Sequence, residues 1–170
     1  MRLVTLAWSG FMVLAFSGCA GYKLGPTSGL VAGEKSIQVN FFRNDTLEPR
    51  LIEYVASTLR RNLQQEGTYH LNTSGDGDII VNGVITEFIR SELSYQPTDI
   101  ITVKDYRLRL VAKVTAIERT SGKVLLDREV SGRTSLRVGN DLSSAERQAM
   151  PLLADDFAKN VTSLLVDGSW

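Results

Sequence analysis

The side chains that could do chemistry in this chain are few and scattered. His70 is the one histidine among 170 residues. No second imidazole exists to share a metal, and a Ser-His-carboxylate triad around His70 would lack any recognisable local motif. Asp76 and Asp78 lie in Gly75-Asp76-Gly77-Asp78. A calcium loop needs a third oxygen ligand, a glycine at its sixth position and a glutamate at its twelfth, and none of these follows. Asp155 and Asp156 are adjacent on an expected helix, so they point in different directions and make no acid/base pair. Neither G-x-x-x-x-G-K-[ST] nor G-x-G-x-x-G occurs, which leaves phosphate-cradling loops unsupported. No catalytic residue, metal ligand or cofactor is therefore expected, and the chain reads as one that binds.

Cys19 is the exception. It is the one cysteine, so no intrachain disulfide or cysteine metal cluster can form. Ahead of it stand Arg2 and an apolar run from Leu3 to Phe16, the charged start and hydrophobic centre of a secretory signal. The run is shorter than the roughly 20 residues of a permanent membrane helix. Ser17-Gly18-Cys19 resembles a bacterial lipobox, in which the thiol is acylated and the preceding peptide bond is cut. Phe16 departs from the aliphatic residue usual at its position. Several acyl chains on one residue anchor a protein stably where a single chain does so only marginally. Ala20, in place of Asp, resembles lipoproteins sorted to the outer membrane. The expected organisation is a signal peptide over 1–18, a lipidated N-terminus and tether over 19–35, and one domain over 36–170. The lipid on Cys19 is the only non-protein group expected.

Charge excludes a global attraction for nucleic acid, because 19 basic residues balance 19 acidic ones. The distribution is uneven. Between Lys104 and Arg137 nine basic residues face four acidic ones, which reads either as a solvated sheet face that discourages edge pairing or as a surface contacting an anion.

The elements that must carry these residues follow from periodicity. Residues 20–35 are glycine-rich, as a tether should be. Ile37, Val39 and Phe41 alternate with Gln38 and Asn40, predicting a half-buried strand. Ile52, Val55, Leu59 and Leu63 recur at helical spacing behind Pro49, and Gly67 stops the helix. Tyr69 and Leu71 mark a short strand. A long one follows over 79–93, with Gly83 at a bulge or a close approach, and then a loop over 94–99. From Tyr106 to Ile117 strict alternation puts Leu108, Leu110, Ala112 and Val114 on one face and Arg107, Arg109 and Lys113 on the other. Thr120-Ser121-Gly122 turns into a strand reaching Leu136. Ser143 or Ser144 caps a second helix with Leu153, Phe157, Val161 and Leu165 inward, kinked near its start by Pro151 and ended by Gly168. The predicted fold is α+β, in the order β-α-β-β-β-β-α. Two helices pack on one face of a mostly antiparallel sheet of four to five strands, making a two-layer sandwich.

Cys19-Ala20-Gly21-Tyr22-Lys23-Leu24, then Ile37-Gln38-Val39-Asn40-Phe41-Phe42-Arg43-Asn44-Asp45-Thr46 leading into the first helix, then Gly77-Asp78-Ile79-Ile80-Val81-Asn82-Gly83-Val84-Ile85 resemble the lipopolysaccharide-assembly LptE family. The Tyr106-Arg107-Leu108 strand and the Thr120-Ser121-Gly122-Lys123 turn fit as well, so the resemblance spans nearly the whole chain after Cys19. Gly77-Asp78 stands where many relatives have Ala-Asp. The resemblance implies an outer-membrane lipoprotein that plugs the lumen of a large LptD-like β-barrel translocon, supports its assembly and passes lipopolysaccharide to the outer leaflet. It implies lipopolysaccharide contacts from basic residues at one sheet end, in loops over 94–104 and 133–142. Arg90, Lys104, Arg133 and Arg137 are the candidates, able to pair with lipid phosphates. The competing reading is another outer-membrane lipoprotein that activates a peptidoglycan synthase or serves curli-like secretion.

Overall fold

A computed structural model describes residues 33–96, 99–139 and 141–167. The signal segment, Cys19, most of the tether and the helix stop at Gly168 lie outside the described residues. The elements are β1 (Ser36–Val39), β2 (Arg43–Asn44), α1 (Leu51–Glu66), β3 (His70–Leu71), β4 (Ile79–Gln96), β5 (Asp99–Glu118), β6 (Val124–Arg137) and α2 (Leu142–Asp167). The sheet has six strands in the order β3-β1-β4-β5-β6, with β2 pairing β4 off that path.

The two-layer α+β arrangement holds, but the sheet is mixed. β1 runs parallel to β3 and to β4, and β2 runs parallel to β4. β4, β5 and β6 are antiparallel. Parallel pairing is forced by α1, a crossover that returns the chain to its starting end before β3 and β4 begin. Two-residue β2, absent from the predicted order, exists because Arg43-Asn44 passes alongside Val84-Ile85 on its way to the helix.

The core lies between one sheet face and both helices. Val55, Leu59 and Leu63 of α1 and Leu153, Phe157, Val161 and Leu165 of α2 are buried on Ile37, Val81, Ile85, Leu108, Leu110, Ala112 and Val114. α1 stops as predicted: Gly67 takes a left-handed φ of 80° and its N–H donates to the Leu63 carbonyl at 3.2 Å. α2 begins two or three residues earlier than predicted. Its cap is Asp141, whose carboxylate accepts the N–H groups of Ser143 and Ser144. The helix continues past Pro151 as one element.

Gly83 marks a close approach and no bulge. A Cβ there would stand 2.0 Å from Cε1 of Phe42, whose ring meets Phe157 edge-on at 6.1 Å. The bulge is three residues on, where Thr86 is skipped between Ile85 and Glu87. The predicted loop over 94–99 is largely strand, because β4 and β5 go on pairing through irregular register from Ser94 to Gln96.

Candidate binding surface

The residues set aside as unreactive prove to be structural. His70 is exposed on β3. Asp78 accepts the Ser36 N–H at 2.8 Å and the Ser36 hydroxyl at 2.6 Å, bonds that hold its carboxyl below the usual range. Arg119 donates to the carbonyls of Gly77 and Gly75 and to Gln38 Oε1, each at 2.8 Å, closing the turn over β1. A Cβ at Gly77 would lie 2.7 Å from that of Gln38, which accounts for glycine at this position. Asp155 turns toward α1, at 3.6 Å from Arg61 and within hydrogen-bond reach of Asn62. Asp156 turns toward β6. Among the described residues no group of three His, Cys, Asp or Glu side chains could hold a metal.

The outer edge of the sheet is guarded from two sides. At β6, Asp156 Oδ2 accepts the Arg133 N–H at 2.8 Å and Asn160 Nδ2 donates to the Ser131 carbonyl at 2.9 Å. Four residues apart on α2, these two side chains satisfy edge groups that would otherwise invite another strand. At β1, Arg60 lies over the Phe41 ring at 5.0 Å and donates to the Val39 carbonyl at 2.8 Å. A shallow groove of about 460 Å³ remains beside them.

The sheet face opposite the helices carries no covering element among the described residues. Side chains alternate across the pleat and cross-strand partners share a face, so the open face is built from successive rows. Ser94, Asp105 and Arg137 make one; Ser91, Arg107 and Ser135 the next; Ile89, Arg109 and Arg133 the third; Glu87, Val111 and Ser131 the fourth. Beyond these lie Val84, Lys113 and Glu129. Val111, in the fourth row, is buried to 1% exposure.

The four candidate cations do not converge. Arg137 and Arg133 lie on the open face. Arg137 Nε donates to Asp105 Oδ1 at 3.0 Å, and Asp105, held below its usual range by the Ser94 hydroxyl and then by Arg137, stays charged to receive it. Arg90 pairs with Leu108 and so lies on the helix face, where Glu146 of α2 takes it in an ion pair. Lys104 alternates onto the side of Tyr106 and Leu108, with its carbonyl bonded to the Val138 N–H. Two further cations, Arg107 and Arg109, come alongside Arg133. Alternation in β5 placed them on one face, but their meeting with Arg133 depends on the hairpin register, which the sequence leaves open.

A polar sheet face that no described element covers, backed by a closed hydrophobic layer, defines a two-layer α+β domain with one face open to a partner. The model of the family described as LptE, lipopolysaccharide-assembly, matches residues 34–165. The chain belongs to this family. It is accordingly a lipopolysaccharide-assembly lipoprotein of the cell envelope, neither an enzyme nor a cofactor-dependent protein, and works with the lipopolysaccharide transport machinery. No curated protein matches the sequence. Among solved structures, a hypothetical protein of Chlamydia trachomatis shares 9% identity over 79% of this chain and 98% of its own, with a TM-score of 0.54. A minor lipoprotein of Acinetobacter baumannii shares 14% identity over 78% of this chain and 92% of its own, with a TM-score of 0.52. These likenesses speak to the fold alone.

Proposed function

We propose that the chain is held to the outer membrane by acyl chains on Cys19, after removal of residues 1–18, and sits inside the lumen of an LptD-like β-barrel. There it supports assembly of the barrel and helps deliver lipopolysaccharide to the outer leaflet. The carrying observation is the asymmetry of the sandwich. Both helices close one face of the sheet, while the other, which no element among the described residues covers, is polar and rich in arginine. The interior of a large barrel is itself wet and polar, so such a face suits it better than a hydrophobic docking patch would. Arg90, Lys104, Arg133 and Arg137 lie toward the end of the sheet where β4 meets β5 and β6 meets α2, and serve as cationic contacts for lipid phosphates. Arg90 and Arg137 would exchange their carboxylate partners for phosphate.

Purification from detergent-solubilised outer membranes tests this reading. A large β-barrel in stoichiometric amount is expected. Recovery of the chain alone, or with a peptidoglycan synthase, overturns it. Cys19→Ala is expected to release a soluble periplasmic protein, and a variant still processed and membrane-bound would remove the lipid anchor from the account.

A further inference from the structure

We infer that the edge of β1 holds a binding site for a neutral saccharide built of N-acetylhexosamine units. Its centre is Phe41. β1 pairs Val39 with Val81, whereas β2 pairs Arg43 with Val84, so four steps along one side answer three along the other. Phe41 falls at the extra residue, a bulge that breaks the alternation of Ile37 and Val39 and re-aims the side chain. Its ring is 74% exposed, while the next residue, Phe42, is buried. Arg60 lies over the Phe41 ring at 5.0 Å from its centre, and its Nη2 donates to the Val39 carbonyl at 2.8 Å. That arginine braces the aromatic ring and obstructs the addition of a strand at this edge.

Beside the ring runs a ladder of amides. Arg119 Nη2 donates to Gln38 Oε1 at 2.8 Å, Gln38 Nε2 to Asn40 Oδ1 at 2.6 Å, and Asn40 Nδ2 to Asn82 Oδ1 at 2.8 Å. Each bond uses one donor and one lone pair, so Gln38 and Asn40 each retain one N–H and one acceptor site. The ladder fixes these side chains before a ligand arrives, which lowers the cost of ordering them on binding. Asn72 and Thr73 complete the groove of about 460 Å³. Among the described residues no carboxylate lines it, and Arg60 is its one cation, so the groove selects a neutral ligand. A pyranose presents a face of C–H bonds, which packs on the negative face of an aromatic ring, and hydroxyls at its rim. An acetamido group adds one N–H and one carbonyl, the pair that complements what Gln38 and Asn40 leave open. The groove lies near the start of β4, where Gln38 pairs with Ile80, roughly 30 Å along that strand from Arg90. It is therefore separate from the cationic end of the sheet and does not rest on the lipopolysaccharide reading. Cell-wall glycan, a polymer of such units, is the source within reach of an envelope protein.

The test titrates the full chain, purified in detergent, with the tetramer of N-acetylglucosamine and with the glucose tetramer of the same linkage. The acetylated tetramer is expected to bind about tenfold more tightly than the glucose one or better, and Phe41→Ala and Asn40→Ala each to raise its Kd about tenfold or more. Phe41→Tyr, which keeps the ring, should retain wild-type affinity. Leu47→Ala, at an exposed apolar residue outside the groove, should change the Kd less than about twofold. Because Phe41 is exposed, the melting temperature of Phe41→Ala should stay within about 4 °C of wild type, which separates lost binding from lost folding. No binding of the acetylated tetramer by wild type at millimolar concentration, or equal affinity in Phe41→Ala, overturns the site. Equal affinity for the two tetramers overturns the role given to the acetamido group. Co-sedimentation with purified cell-wall glycan should follow the same order among the variants; tetramer binding without it keeps the site and removes the wall as its source.

Discussion

Replacing Gly83 with alanine should unfasten the joint between the sheet and α2. The new Cβ would lie 2.0 Å from Phe42 Cε1 and 2.2 Å from Cδ1, whereas carbon atoms rest about 3.5–4.0 Å apart. The ring must therefore retreat by about 1.5 Å. It has little room, being 2% exposed and set at 84° against Phe157, which is fully buried. Overpacking of this kind costs about 1–3 kcal/mol, and disturbing the edge-to-face pair adds about 0.5–1.5 kcal/mol. The expected loss is about 2–4 kcal/mol, a large part of the 5–15 kcal/mol typical of a domain. Phe42→Ala alone should cost about 3–5 kcal/mol. With the ring gone, Gly83→Ala should be neutral or stabilising by about 0.5–1 kcal/mol, because glycine is a poor strand residue. Urea unfolding of the four-member cycle, in a Cys19→Ala background, measures the coupling, expected to be at least about 2 kcal/mol. An equal cost for Gly83→Ala with and without the ring would refute the steric reasoning.

Other perturbations probe separate parts of the structure. Gly132→Ala would put a Cβ 2.6 Å from Phe157 Cβ and 2.7 Å from its backbone nitrogen; it should push α2 off β6, lower the melting temperature and raise the aggregation rate by opening the strand edge. Asp156→Ala leaves the Arg133 N–H without its partner and should cost about 1–2 kcal/mol by urea unfolding. The Asp78 carboxyl titrates lower in the folded chain than in the unfolded one, through the Ser36 hydroxyl and then the Ser36 N–H. Its stabilisation is present above the ordinary carboxylate pKa of about 4 and is lost as pH falls through the lower folded value. Asp78→Asn should flatten that acid limb of a stability-versus-pH curve. His70→Ala, at an exposed position, should change stability by less than about 0.5 kcal/mol and should complement a deletion fully, as befits a protein without catalysis.

What could be read from the residues alone depended on range. Period-two alternation from Tyr106 to Ile117 and helical spacing from Ile52 to Leu63 reflect which face is buried, a property local to each element, and both are observed. Gly67 ends α1 because only a left-handed residue closes it there. Non-local features were less legible. Parallel pairing of β1 with β4 is set by where α1 returns the chain, and β2 owes its existence to the neighbouring backbone. The Ser94–Asp99 stretch looked like a loop because its polar residues and Pro97 hide the pairing that Ser94, Tyr95 and Gln96 make with β5. Arg107 and Arg109 were visibly on one face, yet their meeting with Arg133 depends on hairpin register. The split of Arg90 from Arg137 onto opposite faces turns on the bulge at Thr86, which reverses the alternation of β4 in mid-strand.

The central claim, that this chain assists lipopolysaccharide assembly by binding, is tested most directly by depleting it and measuring lipopolysaccharide at the outer leaflet of living cells. Surface lipopolysaccharide should fall while material accumulates inside the envelope, and His70→Ala should restore it. Unchanged surface lipopolysaccharide in fully depleted cells would contradict the account.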